Sequence, residues 1–296
     1  MSGKINAFLE ATRPKTLPAS LIPVLMGGSI AYWEGVIYPG LLIITLICAV
    51  LIQIITNYIN EIYDFKRGAD TPERLGPRRM VASGVISPRE MTIAVIILIA
   101  ITFGLGMILV AHAGVGILAV GVLSLLFAWA YTGGPYPLAY NGLGDIFVLI
   151  FFGLVATAGT YYVQTTHLSE IAVISGFAPG FLSMNILGVN NLRDIETDPS
   201  AGKYTLSVRL GVQLAQTLYV ILTVMTYAIP FIVGHLTQSL WHLLPLLSGF
   251  FAIPLVLKIY KKKGKELNEV LAGTGKLLML YGLLHVAGFV LSRHFG

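Results

Sequence analysis

The 296-residue chain is poor in charge: Asp, Glu, Lys and Arg make up 11% of it, against about 25% in a typical soluble domain. With 56% hydrophobic residues, this shortage excludes an ordinary water-soluble globule and leaves an integral membrane protein. There is one cysteine, Cys48, inside an apolar run. It has no partner for a disulfide and no metal-type spacing, and it reads as a small buried hydrophobe. No Ser/Gly-rich, Pro-rich or strongly charged linker of useful length interrupts the chain, so residues 1–296 read as one transmembrane domain. No GxxxxGKS or GxxxxGKT motif occurs, which leaves a P-loop nucleotide site unsupported. The six histidines do not form a metal set: His112, His167, His235 and His242 fall near one set of loops, and His294 is terminal. His285 is alone in the last apolar run, where a hydrogen-bonded bundle residue is expected. The net charge of +5 follows from membrane topology, and no nucleic-acid partner is expected.

Long apolar runs are what the chain has instead. A hydrocarbon core of about 30 Å needs about 20 mostly apolar helical residues, and nine candidate spans follow: 17–33, 40–57, 91–111, 115–130, 146–163, 171–189, 215–233, 243–257 and 277–292. The expected fold class is all-α and polytopic. Pro23, Pro179, Pro230 and Pro254 fall inside spans, where neighbouring helices can re-satisfy the freed backbone groups. Lys4, Arg13 and Lys15 precede the first span with no convincing small-residue cleavage site after it, so a signal peptide is not expected. Cations crowd alternate loops: Lys66, Arg67, Arg74, Arg78, Arg79 and Arg89 after the second span, Arg193, Lys203 and Arg209 after the sixth, and six lysines from Lys258 to Lys276 after the eighth. The opposite loops carry no Lys or Arg, and only Arg293 falls on their side. This asymmetry places the N-terminus in the cytoplasm and the C-terminus outside, in agreement with an odd number of spans. The run Lys261 to Lys263 reads as a topology anchor with a minor pull on anionic lipid.

Two polar patches interrupt this pattern on the cytoplasmic side. In NYINEIYDFKRGAD, residues 57–70, Asn60 and Asp64 are four apart and Glu61 and Asp64 three apart, so on a continuing helix they share a face. Asp70 follows Gly68, where the helix is expected to have ended. In NNLRDIETD, Asn190 to Asp194 is again four, Asn191 to Asp194 three, and Asp198 lies four further. Ionisable groups near membrane depth are costly and tend to mark function. Oxygen donors without His or Cys select hard ions such as Mg²⁺. A Mg²⁺ site takes few protein oxygens and completes its shell with water and phosphate, so two facing patches imply a bridging polyphosphate, with nearby Arg and Lys offsetting its charge. In a membrane protein without a P-loop, that points to a lipid diphosphate.

Between the fourth and fifth spans lies YTGGPYPLAYNGLGD, residues 131–145, a loop with no cation. Its Gly and Pro content excludes helix. Tyr131, Tyr136 and Tyr140 are candidates to line an aromatic acceptor or face a carbocation, or are belt residues of the interface. Asp145 reads as a helix cap or a site residue. RPKTLPAS, residues 13–20, places Arg13 and Lys15 just before the first span, as anchors or as partners for an acidic acceptor or the diphosphate.

At these residues the chain resembles the UbiA superfamily of membrane prenyltransferases. That family's first motif is matched by Asn60, Glu61, Asp64 and Asp70, with Glu61 standing where Asp is usual. Its second is matched by Asn191, Asp194 and Asp198, with Asn191 where the wider superfamily often has Asp. RPKTLPAS, YTGGPYPLAYNGLGD and NNLRDIETDPSAGKYTL are similar, more narrowly, to its 1,4-dihydroxy-2-naphthoate polyprenyltransferase branch. The resemblance implies a nine-helix UbiA-type bundle open sideways to lipid, in a bacterial or archaeal cell membrane, with Mg²⁺ and the active site at its cytoplasmic end. It implies transfer of the prenyl chain of a polyprenyl diphosphate to 1,4-dihydroxy-2-naphthoate, with loss of diphosphate and CO₂. Carried over by position, Asn60, Glu61, Asp64, Asp70, Asp194 and Asp198 serve the metal, and Arg74, Arg78, Arg79 and Lys203 hold the diphosphate. Asp64, Asn191 and Asp194 carry the catalytic assignment, the last two nearest the acceptor, where ring deprotonation raises nucleophilicity. Oligomeric state has no signature in the sequence.

Two other readings stay open. One is a UbiA relative with another acceptor, such as 4-hydroxybenzoate, a glycerol phosphate lipid or a porphyrin. The other is a secondary transporter, whose polar residues should lie near the bilayer midplane on discontinuous helices, whereas these gather at one face.

Overall fold

The computed structural model describes residues 2–70 and 75–296, apart from the side chains of Ser2 and Lys15, and no strand occurs among them. A short helix α1 (Ser2–Ala11) leads into α2 (Pro18–Trp33), α3 (Pro39–Lys66), α4 (Pro88–Ala113) and α5 (Val115–Ala130). After the glycine-rich loop come α6 (Gly144–Thr165), α7 (Glu170–Arg193) and α8 (Leu206–Thr237). The chain ends with α9 (Leu240–Lys261) and α10 (Leu267–Phe295). All nine apolar segments read from the sequence lie in α2 to α10. Seven of the helices are long and apolar enough to cross a membrane. The other two, α2 and α5, have 16 residues each, about 24 Å of helix, short of a core about 30 Å thick.

Helix α3 errs the other way. Its 28 residues span about 42 Å, more than a core about 30 Å thick requires, so the polar residues 57–66 stay on the same helix beyond a span's length. The stop comes at Gly68, at φ 68°, where the Ala69 N–H donates to the Asp64 carbonyl (2.9 Å) and the Gly68 N–H to that of Phe65 (3.1 Å). This is a Schellman closure, for which glycine is the favoured residue. Helix α4 restarts on a capping box in which Ser87 and Glu90 exchange hydrogen bonds.

Helix α6 lies against α7 through Gly153, Gly176 and Gly180, where a Cβ on Gly153 would come within 2.6 Å of the Gly176 carbonyl. Small residues thus let the two backbones meet, and α6 is π-helical over Ile150–Val155 at this crossing. One core cluster, with Met26, Ile30, Tyr161, Leu182, Tyr281 and Phe289, joins α2, α6, α7 and α10. A second, with Ile55, Ile59, Met80, Ile86 and Met91, joins α1, α3, the 80–86 segment and α4. His285 departs from expectation: it is buried, but neither ring nitrogen has a hydrogen-bond partner among the described residues, and the same holds for His242. Both rings pack on Phe289, at 4.8 and 4.1 Å.

Candidate active site

Gln53, Asn57, Asn60, Glu61 and Asp64 recur every three or four residues and form one polar face of α3, and all five are buried. Each has a partner from another segment. Gln53 Nε2 donates to the Thr16 carbonyl (2.8 Å) and Asn57 Nδ2 to that of Thr12 (2.9 Å), tying segment 12–16 to the helix. Inside that segment Arg13 takes a left-handed conformation, φ 54° and ψ 65°, uncommon for a residue with a side chain. The Thr132 hydroxyl donates to Asn60 Oδ1 (2.7 Å).

Arg79 gathers the first acidic patch. Its Nη1 lies 3.2 Å from Glu61 Oε1, its Nη2 2.8 Å from Asp64 Oδ2 and its Nε 3.3 Å from Asp70 Oδ1. Glu61 Oε2 also accepts from the Val81 backbone N–H (3.1 Å). The other oxygen of Asp64 accepts from the Tyr140 hydroxyl (2.7 Å). The ring of Tyr140 has two cations near it, Arg67 at 5.1 Å and Lys203 at 5.5 Å. Its carbonyl accepts from the Tyr204 N–H (2.9 Å). Tyr140 therefore joins the end of α3 to the chain beyond α7. Burial first, and then the charge of Asp64, pushes its phenol well above the ordinary tyrosine range.

The second patch is organised by Arg193. Its Nε and Nη2 hold both oxygens of Asp194, at 2.8 and 2.5 Å, in the two-pronged geometry that makes Arg–carboxylate pairs strong. Nη2 also donates to Asn190 Oδ1 (3.0 Å) and Nη1 to Asn268 Oδ1 on α10 (2.9 Å). Lys203 Nζ stands 4.0 Å from Asp198.

The two patches face one polar cavity of about 70 Å³, lined by Asn60, Asp64 and Arg79 from the first side and Asn190, Asn191 and Lys203 from the second, with Tyr131, Thr132 and Asp145. Beyond it lies a largely apolar chamber of about 360 Å³ among α2 to α7, whose walls include Phe127, Phe147 and Phe151. Arg13, Asn60, Tyr131, Leu187 and Asn190 line both spaces, so they form the throat between them. Burial, with the charges of Asp145 and Asp64, raises the Tyr131 phenol far above its ordinary range. Among the described residues no group of three or more His, Cys, Asp or Glu is assembled as a ready metal site.

The profile of the UbiA prenyltransferase family matches residues 20–289. The chain belongs to that family. It is 37% identical to the 1,4-dihydroxy-2-naphthoate octaprenyltransferase of Escherichia coli (strain K12), covering 98% of this chain and 97% of that one. To the protein of the same name in Mycobacterium tuberculosis it is 36% identical over 95% of each. Its fold is similar to that of a UbiA homolog from Archaeoglobus fulgidus solved with GPP and Mg²⁺, with a TM-score of 0.68, 16% identity, and 96% and 99% of the two chains covered.

In this UbiA family member the described residues among those singled out from sequence divide into three groups. Asn60, Asp64, Arg79, Asn191, Lys203, Tyr131 and Arg13 line the polar cavity. Glu61, Asp70, Asp194, Asp198 and Tyr140 support it from behind through the contacts above. Arg78 and Tyr136 are exposed, Tyr136 to 60%, and neither is among the lining residues. Arg74 and the side chain of Lys15 lie outside the described residues.

Sequence reading treated Arg193 only as a topological charge; its burial depends on Asn268, 75 residues away. It left Asp145 undecided between cap and site; the cap position is Leu143, with no side-chain capping bond, and Asp145 stands in the first turn of α6 on the cavity wall. It passed over Thr132 and the ring cluster Phe127, Phe147 and Phe151, whose centroids stand 4.7 to 6.4 Å apart. Tyr140 is not on the chamber wall, and these three rings are among the aromatic side chains that line it.

Proposed function

We propose that the protein is a magnesium-dependent 1,4-dihydroxy-2-naphthoate polyprenyltransferase of menaquinone biosynthesis. It moves the polyprenyl group of a polyprenyl diphosphate onto the naphthoate ring and releases diphosphate and CO₂, giving demethylmenaquinol, the hydroquinone form of demethylmenaquinone. The observation that carries this reading is the throat: a small polar space with basic and acidic walls opens directly onto a large apolar one, through residues common to both. A substrate with a diphosphate head and an isoprenoid tail finds a matching wall on each side. The apolar space is of the size that houses small-molecule ligands, roughly 300–1,000 Å³. The acceptor is taken from the names of the bacterial relatives.

The donor set fits Mg²⁺, because both patches offer only amide and carboxylate oxygens. Asn60 and Asp64 would hold the ion directly, with Glu61 and Asp70 behind them and Asp194 and Asp198 across the cavity. Bound there, Mg²⁺ offsets the charge of the diphosphate and makes it a better leaving group. Arg79 and Lys203 bind the diphosphate oxygens. Tyr140 and Arg193 orient Asp64 and Asp194. Arg13, at the throat, meets the acceptor carboxylate, and Asp194 with Asn191 takes the proton of the ring hydroxyl. Phe127, Phe147 and Phe151 keep water from the allylic centre and present ring faces to its positive charge. The chain forms one domain over residues 1–296. Helices α2 to α10 all cross, α2 and α5 as short spans, with the N-terminus and the active site on the cytoplasmic side of a bacterial or archaeal cell membrane, as the one-sided cations imply.

The test supplies purified protein in lipid with polyprenyl diphosphate, Mg²⁺ and a panel of acceptors, and identifies products by mass. The expected result is a prenylated 1,4-dihydroxynaphthalene that has lost the carboxylate, formed with one diphosphate per turnover. Preferential prenylation of 4-hydroxybenzoate would overturn the acceptor, and failure to release diphosphate with any acceptor would overturn the reaction class.

A further inference from the structure

We infer that Arg79 is an internal counter-cation: it withholds the first acidic patch from free divalent ions and yields it when a diphosphate arrives, so that metal and diphosphate enter together. This rests on the prenyl-diphosphate reading above. The guanidinium pairs with three different acidic side chains, hydrogen-bonded to Glu61 and Asp64 and at ion-pair distance from Asp70. It is only 6% exposed, yet it is on the wall of the polar cavity, within reach of whatever binds there. Asp64, the acidic member of this patch that also lines the cavity, has both oxygens engaged, one by Tyr140 and one by Arg79.

A divalent ion coming alone to Asp64 must compete with a guanidinium already seated on the same carboxylate. The two cations repel strongly at such range in a partly desolvated site, and pulling one partner out of a buried ion pair is costly. A diphosphate changes this balance. Its oxygens match the planar fork of arginine, so Arg79 exchanges a carboxylate for a phosphate and frees an Asp64 oxygen for the metal in the same event. The backbone permits the exchange without moving the acidic patch, since Glu61 keeps its separate hold on the Val81 amide, and Arg79 belongs to the 75–86 segment rather than to α3. Each ligand then raises the affinity for the other by the same factor.

The experiment measures Mn²⁺ affinity by electron paramagnetic resonance on the full-length protein in lipid nanodiscs, for wild type, Arg79→Gln and Arg79→Lys, with and without a polyprenyl thiodiphosphate that cannot react. Arg79→Gln should bind Mn²⁺ alone on the order of tenfold more tightly than wild type, within the range of ~5–150-fold usual for coupled sites, and Arg79→Lys by less. With the thiodiphosphate present, wild type should recover most of that difference. A folded Arg79→Gln that binds Mn²⁺ alone no more tightly than wild type overturns the inference. If Arg79→Gln does not fold, Arg79→Lys decides in the same way, tighter binding supporting and equal binding overturning it. Wild type that binds Mn²⁺ with the analogue but shows no effect of either variant sinks only the role of Arg79. Wild type that binds no Mn²⁺ even with the analogue sinks the diphosphate reading as well.

Discussion

The two polar patches close the same cavity and are built in opposite ways. The first, at the end of α3, is rich in carboxylates, and its cation comes from another segment: Arg79 lies 15 and 18 residues from Asp64 and Glu61. The second, at the end of α7, presents amides to the cavity, and Asp194 behind them is gripped by its own neighbour, Arg193, which is pinned in turn to α10 through Asn268. A cation lent from outside can be exchanged for a ligand while the helix stays intact. A cation built into the helix end, with a third helix holding it, fixes geometry instead. The difference points to a division of labour, in which the first patch receives the charged head of one substrate and the second holds a rigid frame beside the other.

The largest effect expected is from removing the carboxylates themselves. Asp64→Ala and Asp194→Ala should each lower kcat/KM on the order of 10²–10³-fold or more, the scale of losing one preorganised electrostatic contact, while membrane insertion and helical content stay normal. Near-normal turnover in either variant would remove that patch from the chemistry. Next in size is the contrast between the two arginines. Arg193→Gln leaves a buried Asp194 without its bidentate partner, a loss of about 3–5 kcal/mol for a broken buried pair. It should lower the unfolding temperature clearly and leave the affinity for free Mn²⁺ near wild type, the reverse of Arg79→Gln. Equal behaviour of the two variants would erase the distinction drawn between the patches. The smallest is Tyr140→Phe, which keeps the ring beside Arg67 and Lys203 but removes the hydrogen bond to Asp64. At about 1.5–3 kcal/mol for a bond to a charged group, KM for the polyprenyl diphosphate should rise roughly tenfold or more. Because the folded protein holds the Tyr140 phenol above its unfolded value near 10, this contribution is complete below about pH 10 and is lost only as pH climbs past it. The wild-type minus Tyr140→Phe difference should therefore stay flat from about pH 6 to 9.

The helices and the lines of the site were legible in sequence because they rest on local rules. Apolar runs mark where the chain must be helical in lipid, and the spacing of Asn60, Glu61 and Asp64 marks a shared face whatever surrounds it. What escaped depends on contacts distant in sequence. Tyr136 and Tyr140 lie four residues apart in one loop, and no local rule marks which ring is exposed and which is bonded to Asp64. Arg193 and Arg78 look alike as cytoplasmic charges; one is buried because Asn268 comes to meet it. Phe127, Phe147 and Phe151 were invisible among apolar neighbours, since lipid-facing and chamber-facing positions draw on the same residues. Span counting also reached its limit at α2 and α5, whose 16 residues each are short for a span.

The proposal that both helix ends serve a single metal–diphosphate site is tested most directly by Mn²⁺ binding in the presence of the unreactive thiodiphosphate, measured for Asp64→Asn, Asp194→Asn and the double variant. One shared site predicts that each single substitution removes most of the bound Mn²⁺ and that the double variant loses little more, the non-additivity of groups acting as a unit. Half the metal lost in each single variant, and all of it only in the double, would mean two separate sites and would contradict it.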